Sequence, residues 1–111
     1  MEKLSDYKHA VQHLLLQYSQ ADSSEEGVKT QLMFDDERGH YQWMDIGWKG
    51  STRIHRCIVH FDIQDGKVWL QPNLTEQNPA EDLVSMGVPR EDIVLGLQPP
   101  YKRPYTDYGV A

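Results

Sequence analysis

The stretch that decides the fold covers residues 52–71, TRIHRCIVHFDIQDGKVWLQ. Its first half is rich in β-branched and aromatic residues, and simple alternation predicts that Cys57, Val59 and Phe61 lie on the same side of a strand. Asp65-Gly66 follows, the dipeptide that best accepts the positive φ of a type I′ turn, and a second apolar run returns the chain. We therefore predict a long β-hairpin.

Two further strands precede this hairpin. Residues 30–34 alternate in polarity and end at the charged turn of residues 35–39, DDERG. Residues 40–48, HYQWMDIGW, form the next apolar run, and a short turn at residues 49–51 joins it to the hairpin. Because consecutive strands with short connections pair with each other, we predict an antiparallel four-stranded meander.

A helix is expected on the N-terminal side of the sheet. Apolar residues recur at steps of three and four along residues 3–20, which is the period of one face of an α-helix. They are Leu4, Tyr7, Val11, Leu14, Leu15 and Tyr18. The small, polar and acidic residues 21–27, ADSSEEG, then predict a loop.

The C-terminal part predicts a short helix and an extended tail. Asn78-Pro79 is typical of a helix start, and Gly87 followed by Pro89 is typical of its end. We expect residues 93–95, IVL, to be extended. The prolines of residues 98–111 favour an extended path. The predicted fold class is α+β, with both helices on one face of the sheet.

Composition limits the possible functions. The 111 residues fit one domain, residues 1–111, and the formal net charge of −6 disfavours unaided binding to a phosphate backbone. With one cysteine and neither a signal-like start nor a long apolar run, the chain is expected to be cytoplasmic and free of membrane association. Cys57 is expected to be a small buried hydrophobe.

Three groups of residues are candidates for metal or catalytic sites. His9 and His13 have the i, i+4 spacing of a shared zinc ligand pair, but the sequence supplies neither a general base between them nor a third ligand nearby. The acidic turn of residues 35–37 is explained more simply as a solvated loop. Alternation places His55 and His60 on opposite faces of their strand. We therefore expect a protein without catalytic, metal or cofactor-binding residues, and not an enzyme.

The tail is the part of the chain where basic and aromatic residues interleave, as they do in proteins that bind single-stranded nucleic acids. Its candidate contacts with a partner or with DNA are Tyr101, Lys102, Arg103 and Tyr105. Two positive charges are few for DNA binding. The alternative, favoured by the sequence, is a tail that packs its rings on its own domain or on a neighbouring subunit.

Three segments resemble the XisI family, the fdxN element excision controlling factors of cyanobacteria. They are residues 31–48, QLMFDDERGHYQWMDIGW; residues 53–71, with the DGKVW turn; and residues 87–111, with GVP, DIVLG and PYKR. The resemblance is collinear and spans nearly the whole chain. One departure is Gly39, which stands where a second polar turn residue is expected.

The resemblance implies a function in the control of site-specific DNA excision. In this system a large serine recombinase removes an element that interrupts a nitrogen-fixation gene during heterocyst differentiation, and XisI acts with a second small protein, XisH. We expect a non-enzymatic accessory factor that contacts an XisH-like partner and forms a homo-oligomer or a complex with that partner. The family has no established catalytic residues that could be assigned to positions in this chain.

The sequence leaves two alternative functions open. A directionality factor that binds DNA directly would gather its basic residues on one surface; the candidates are Arg53, Arg56, Arg90, Lys102 and Arg103. An antitoxin-like regulator paired with XisH would act outside excision altogether. A metal-dependent hydrolase would need at least three acidic or histidine side chains to converge in one cleft, which a single exposed turn does not favour.

Overall fold

The structure, a computed structural model, describes residues 2–21 and 26–110. Its α-helices are α1 (Glu2–Ala21) and α2 (Pro79–Ser85); its strands are β1 (Val28–Asp35), β2 (His40–Lys49), β3 (Thr52–Gln64), β4 (Lys67–Asn73) and β5 (Ile93–Leu95); 3₁₀ helices occur at Arg90–Asp92 and Pro100–Tyr105. The α+β class, the N-terminal helix and the short second helix are confirmed. The predicted loop at residues 21–27 falls mainly on residues 22–25, which lie outside the described residues.

The sheet has five strands in the order β1-β2-β3-β4-β5. The first four form the predicted antiparallel meander, and β5 adds a parallel neighbour to β4. A parallel pair needs a crossover connection, and α2 lies in that connection. The extended structure predicted for residues 93–95 is therefore correct, but it belongs to the sheet, which the prediction had limited to four strands.

Local sequence explains the turns and caps. Asp65 and Gly66 have φ values of 55° and 76°, as a type I′ turn requires. At α2, the Asn78 side chain accepts a hydrogen bond from the backbone N–H of Glu81 at 3.3 Å. The helix ends with backbone N–H groups donating from Gly87 to Val84 and from Val88 to Leu83, which is the Schellman arrangement.

A β-bulge in β3 corrects the predicted alternation. Trp43 pairs with Val59, but the next residue, Met44, pairs with Cys57, so Ile58 is the extra residue. Because paired residues point to the same face, Cys57 lies on the opposite face from Val59. The prediction that Cys57 is buried beside Val59 and Phe61 is therefore wrong, and its side chain is half-buried on the other face. The bulge also places His55 on the same face as His60, so the prediction that they lie on opposite faces is wrong as well.

The core lies between the helices and one face of the sheet, as predicted. Its helical members are Tyr7, Ala10, Val11, Leu14, Leu15, Tyr18, Ala80 and Leu83, and its sheet members include Tyr41, Trp43, Val59, Phe61, Val68 and Leu70. We call the sheet face that carries these core residues the inner face and the opposite one the outer face. Tyr41 and Phe61 are fully buried, and each such ring contributes about 2 kcal/mol or more by leaving water. No helix among the described residues is long and apolar enough to cross a membrane.

The tail differs from the predicted extended path. Pro100 opens a 3₁₀ helix, since the fixed φ of proline suits a first helical position. The backbone N–H of Lys102 donates to the carbonyl of Pro99 at 2.9 Å, and that of Thr106 donates to Arg103 at 3.1 Å. Farther along, Gly109 forms a parallel bridge with Val94 of β5. The tail is therefore folded onto the sheet.

Candidate interaction surface

The outer face of the sheet is the one that α1 and α2 do not cover. Strand register places Met33, His40, Asp62 and Trp69 on it, because residues paired across antiparallel strands share a face. Met33 is exposed and His40 is largely exposed, whereas Trp69 is half-buried. This face is therefore mixed in polarity and partly open to solvent.

The turn at Pro100–Tyr105 approaches the outer face through one of its residues. The guanidinium of Arg103 lies 5.2 Å from the centre of the Trp69 ring, within cation–π range. Its Nε also donates to the carbonyl of Gln98 at 3.1 Å. Arg103, one of the predicted contact residues, is thus an anchor that holds the turn on the domain.

The other three predicted contact residues point to solvent. Tyr101 is 71% exposed and Tyr105 is 88% exposed, and Lys102 is exposed as well. In a 3₁₀ helix, residues three apart lie on the same side, so Lys102 and Tyr105 share a side of the turn. We call Tyr101, Lys102 and Tyr105 the aromatic turn.

After the aromatic turn the chain is attached to the domain again. The Tyr108 hydroxyl donates to Glu81, and the Arg90 guanidinium lies 5.7 Å from the Tyr108 ring centre. Burial and this hydrogen bond raise the pKa of Tyr108 to about 12. The Gly109 N–H donates to the carbonyl of Ile93 at 2.8 Å. The alternative in which the tail packs its rings on its own domain is therefore seen for Tyr108, whereas the rings of the aromatic turn are exposed.

The five basic residues considered as DNA contacts do not all lie on one surface. Arg53 pairs with Trp48 on the outer face, whereas Arg56 pairs with Asp45 on the inner face. Arg90 forms an ion pair with Glu81, donating from Nη2 to Oε1 at 3.0 Å. The clustering that a directionality factor binding DNA directly would need is not seen for these residues.

The acidic turn after β1 serves the fold. The Asp35 carboxylate accepts the backbone N–H of Arg38 at 2.9 Å, and this bond lowers the pKa of Asp35. Asp36 accepts the Tyr41 hydroxyl and the Gln12 side-chain amide, each at 2.7 Å. These carboxylates therefore close the turn and fasten it to α1, which agrees with the interpretation of residues 35–37 as a loop.

A different group of potential metal ligands is brought together by the sheet. The group consists of His40, His60 and Asp62, whose ligand atoms lie within 4.8 Å of one another. Among the described residues, it is the group of three or more such side chains that could hold a metal ion. His9 and His13 are both exposed on α1 and are not part of it. The sequence signal was the His60-x-Asp62 spacing, which puts both side chains on one strand face. His40 could be added only once the register of β2 against β3 was known.

These features define a class of protein: a small α+β protein with helices on one face of an open sheet and an aromatic turn beside the other. Residues 1–110 match the XisI protein family. The chain belongs to the XisI family, so the resemblance noted in the sequence is confirmed.

Two solved structures show the same fold. The crystal structure of a XisI-like protein from Anabaena variabilis ATCC 29413 is 64% identical in sequence, with a TM-score of 0.94 and coverage of 97% of this chain and 99% of that one. The fdxN element excision controlling factor XisI from the same strain is 32% identical, with a TM-score of 0.88 and coverage of 98% and 99%. No curated protein matches the chain.

Proposed function

We propose that this protein is a non-enzymatic, cytoplasmic accessory factor that controls recombinase-catalysed excision of a DNA element of the fdxN type. It acts by contact with an XisH-like protein. Family membership supports a function in the control of DNA excision, since a relative that is 32% identical over nearly the whole chain is an fdxN element excision controlling factor. Contact with a protein partner as the mode of action is supported by the exposed surface of the tail and by the charge of the chain.

The main observation that supports contact with a protein partner is the exposure of the aromatic turn. Tyrosine is enriched at protein interfaces because it supplies a large contact area with few rotatable bonds. Tyr101 and Tyr105 are 71% and 88% exposed, yet the turn that bears them is held in place by Arg103. Since the segment is already ordered, a partner that covers it does not have to meet the full entropic cost of ordering it.

Charge also favours a protein partner. The formal net charge is −6, and Arg53 and Arg56 lie on opposite faces of the sheet. A DNA ligand would therefore meet overall repulsion without a concentrated basic surface. Direct DNA binding is the outcome that would replace the proposal.

The test is co-expression of the full chain with an XisH-like protein, followed by size-exclusion chromatography with light scattering. We expect a complex of defined stoichiometry. The double variant Tyr101→Ala/Tyr105→Ala should weaken it at least about tenfold, because truncation of interface tyrosines commonly costs more than 1 kcal/mol each. Leu16→Ser is the matched control, since Leu16 is 42% exposed on α1, away from the aromatic turn.

A salt-titrated DNA-binding assay on each protein and on the mixture completes the test. Affinity seen only in the mixture, or in neither protein, agrees with action through a protein partner. Tight binding of this chain alone to the recombination site, with a steep salt dependence, would overturn the proposal in favour of a directionality factor. A complex that forms without any effect on excision would favour the antitoxin-like regulator.

A further inference from the structure

Two histidines and one aspartate converge on the outer face of the sheet. The Nδ1 atom of His40 and the Nε2 atom of His60 each lie 2.7 Å from the same oxygen, Oδ1 of Asp62. The two imidazole rings are nearly perpendicular, with centres 6.4 Å apart. Both histidines therefore direct one ring nitrogen at the same carboxylate oxygen.

The backbone holds these three residues in place. His40 is paired with Asp62 across β2 and β3, and His60 lies two residues before Asp62 on the same strand face. These are neighbouring strands in the interior of the sheet, which is a more rigid support than a loop.

A fourth side chain orients the carboxylate from behind. Gln71 of β4 donates from Nε2 to Oδ2 of Asp62 at 3.1 Å, which leaves Oδ1 facing the histidines. Burial raises the pKa of Asp62, but the hydrogen bonds from His40, His60 and Gln71 outweigh it, so the net pKa is lowered. The Gln71 contact thus fixes the orientation in which Asp62 presents Oδ1 to the two histidines.

We propose that His40, His60 and Asp62 form a binding site for a divalent transition metal of the zinc type. Two imidazole nitrogens and one carboxylate oxygen are the donor set that such ions accept, whereas Mg²⁺ and Ca²⁺ prefer oxygen alone. Gln71 is a positioning residue, since it would fix the ligating carboxylate by the kind of hydrogen bond that supports protein metal sites.

Metal binding requires these side chains to rearrange. Ligand atoms bound about 2.0–2.2 Å from one tetrahedral ion lie about 3.4 Å apart, so the two 2.7 Å nitrogen–oxygen separations must open, while the three ligand atoms already lie within 4.8 Å of one another. The ring nitrogens that now hydrogen-bond to Oδ1 would bind the ion in their unprotonated form. The His40 side chain is 52% exposed and has room to rotate, whereas His60 and Asp62 are only 23% and 15% exposed. Three protein ligands leave a position on the solvent side for water or for a donor from another molecule.

The test is a calorimetric titration of Zn²⁺ into the full-length chain without an affinity tag, repeated with Co²⁺, whose visible spectrum reports coordination. We expect one ion per chain. Asp62→Asn and His60→Ala should each weaken binding at least about tenfold, and Gln71→Ala should weaken it less. His40→Ala keeps the test valid if the more buried variants do not fold, because His40 is the most exposed of the three ligands.

Two controls identify the site. His55 is exposed on the same strand and, because of the bulge, on the same outer face, so His55→Ala should leave the affinity unchanged. His9→Ala/His13→Ala removes the i, i+4 pair on α1. Loss of binding in that variant, retention of full affinity in His40→Ala and Asp62→Asn, or no binding to wild type at micromolar metal would each overturn the proposal.

Discussion

Replacement of Gly39 by alanine is predicted to destabilise the fold through a single backbone contact. Gly39 is buried at the end of the acidic turn and has a φ of +75°. Its N–H donates to the carbonyl of Asp35, and its carbonyl accepts the N–H of Ile63, both at 2.8 Å. A Cβ atom at this position would lie 2.6 Å from the Ile63 carbonyl oxygen. The glycine is therefore required where the family resemblance led us to expect a polar residue.

Gly50 gives a matched comparison. It also has a left-handed φ, +63°, but a Cβ atom there would meet no atom within 4 Å. The left-handed conformation costs an alanine about 1–2 kcal/mol at either position. At Gly39 the strands must also separate, which weakens a hydrogen bond worth about 1 kcal/mol and loosens the packing around it. We expect Gly39→Ala to cost about 1–2 kcal/mol more than Gly50→Ala.

Urea unfolding measures this difference. For an m-value of about 2 kcal/mol/M, typical of small proteins, the midpoint of Gly39→Ala should lie about 0.5–1 M below that of Gly50→Ala. The m-values should remain equal, which would show that the denatured states are comparable. Equal midpoints for the two variants would refute the reasoning, because the steric contact would then contribute nothing beyond the backbone conformation.

The remaining predictions concern single polar contacts and the tail. Because the pKa of Asp62 is lowered in the folded protein, its stabilising contribution is present above the ordinary carboxyl pKa of about 4 and is lost as pH falls through the lower native pKa. In EDTA, Asp62→Asn should therefore be less stable than wild type at pH 7, and the difference between the two thermal unfolding curves should shrink as the pH is lowered below about 4. A gap that stays constant with pH would contradict this. Tyr41→Phe removes the hydrogen bond to Asp36 and should cost about 1 kcal/mol, whereas Tyr105→Phe, at a ring 88% exposed, should change the free energy of unfolding by less than about 0.5 kcal/mol. Equal losses in chemical denaturation would show that the hydroxyl of Tyr41 is not used. Gly109→Ala would place a Cβ atom 2.2 Å from a backbone carbonyl oxygen and should detach the end of the tail, seen as faster hydrogen exchange of the last residues with little change in the sheet. Unchanged exchange would mean that the tail tolerates the side chain.

The sequence by itself determined the secondary structure and most of the topology. Apolar residues at helical spacing predicted α1, and Asn78-Pro79 with Gly87 marked α2, because caps and periodicity are local properties of the chain. Asp65-Gly66 identified the hairpin turn for the same reason. The residues of the tail that are exposed could also be proposed from their composition, although Arg103 was not separated from its neighbours.

Only the tertiary structure decided which faces and partners these residues have. The bulge at Ile58 reverses the alternation within β3 and moves Cys57 to the outer face, and nothing in the local pattern marks that extra residue. The joining of β5 to β4 and the stacking of Arg103 on Trp69 both depend on contacts between distant segments. The convergence of His40 with Asp62 likewise depends on strand register, which is set by packing of the whole sheet and not by either residue's neighbours in sequence.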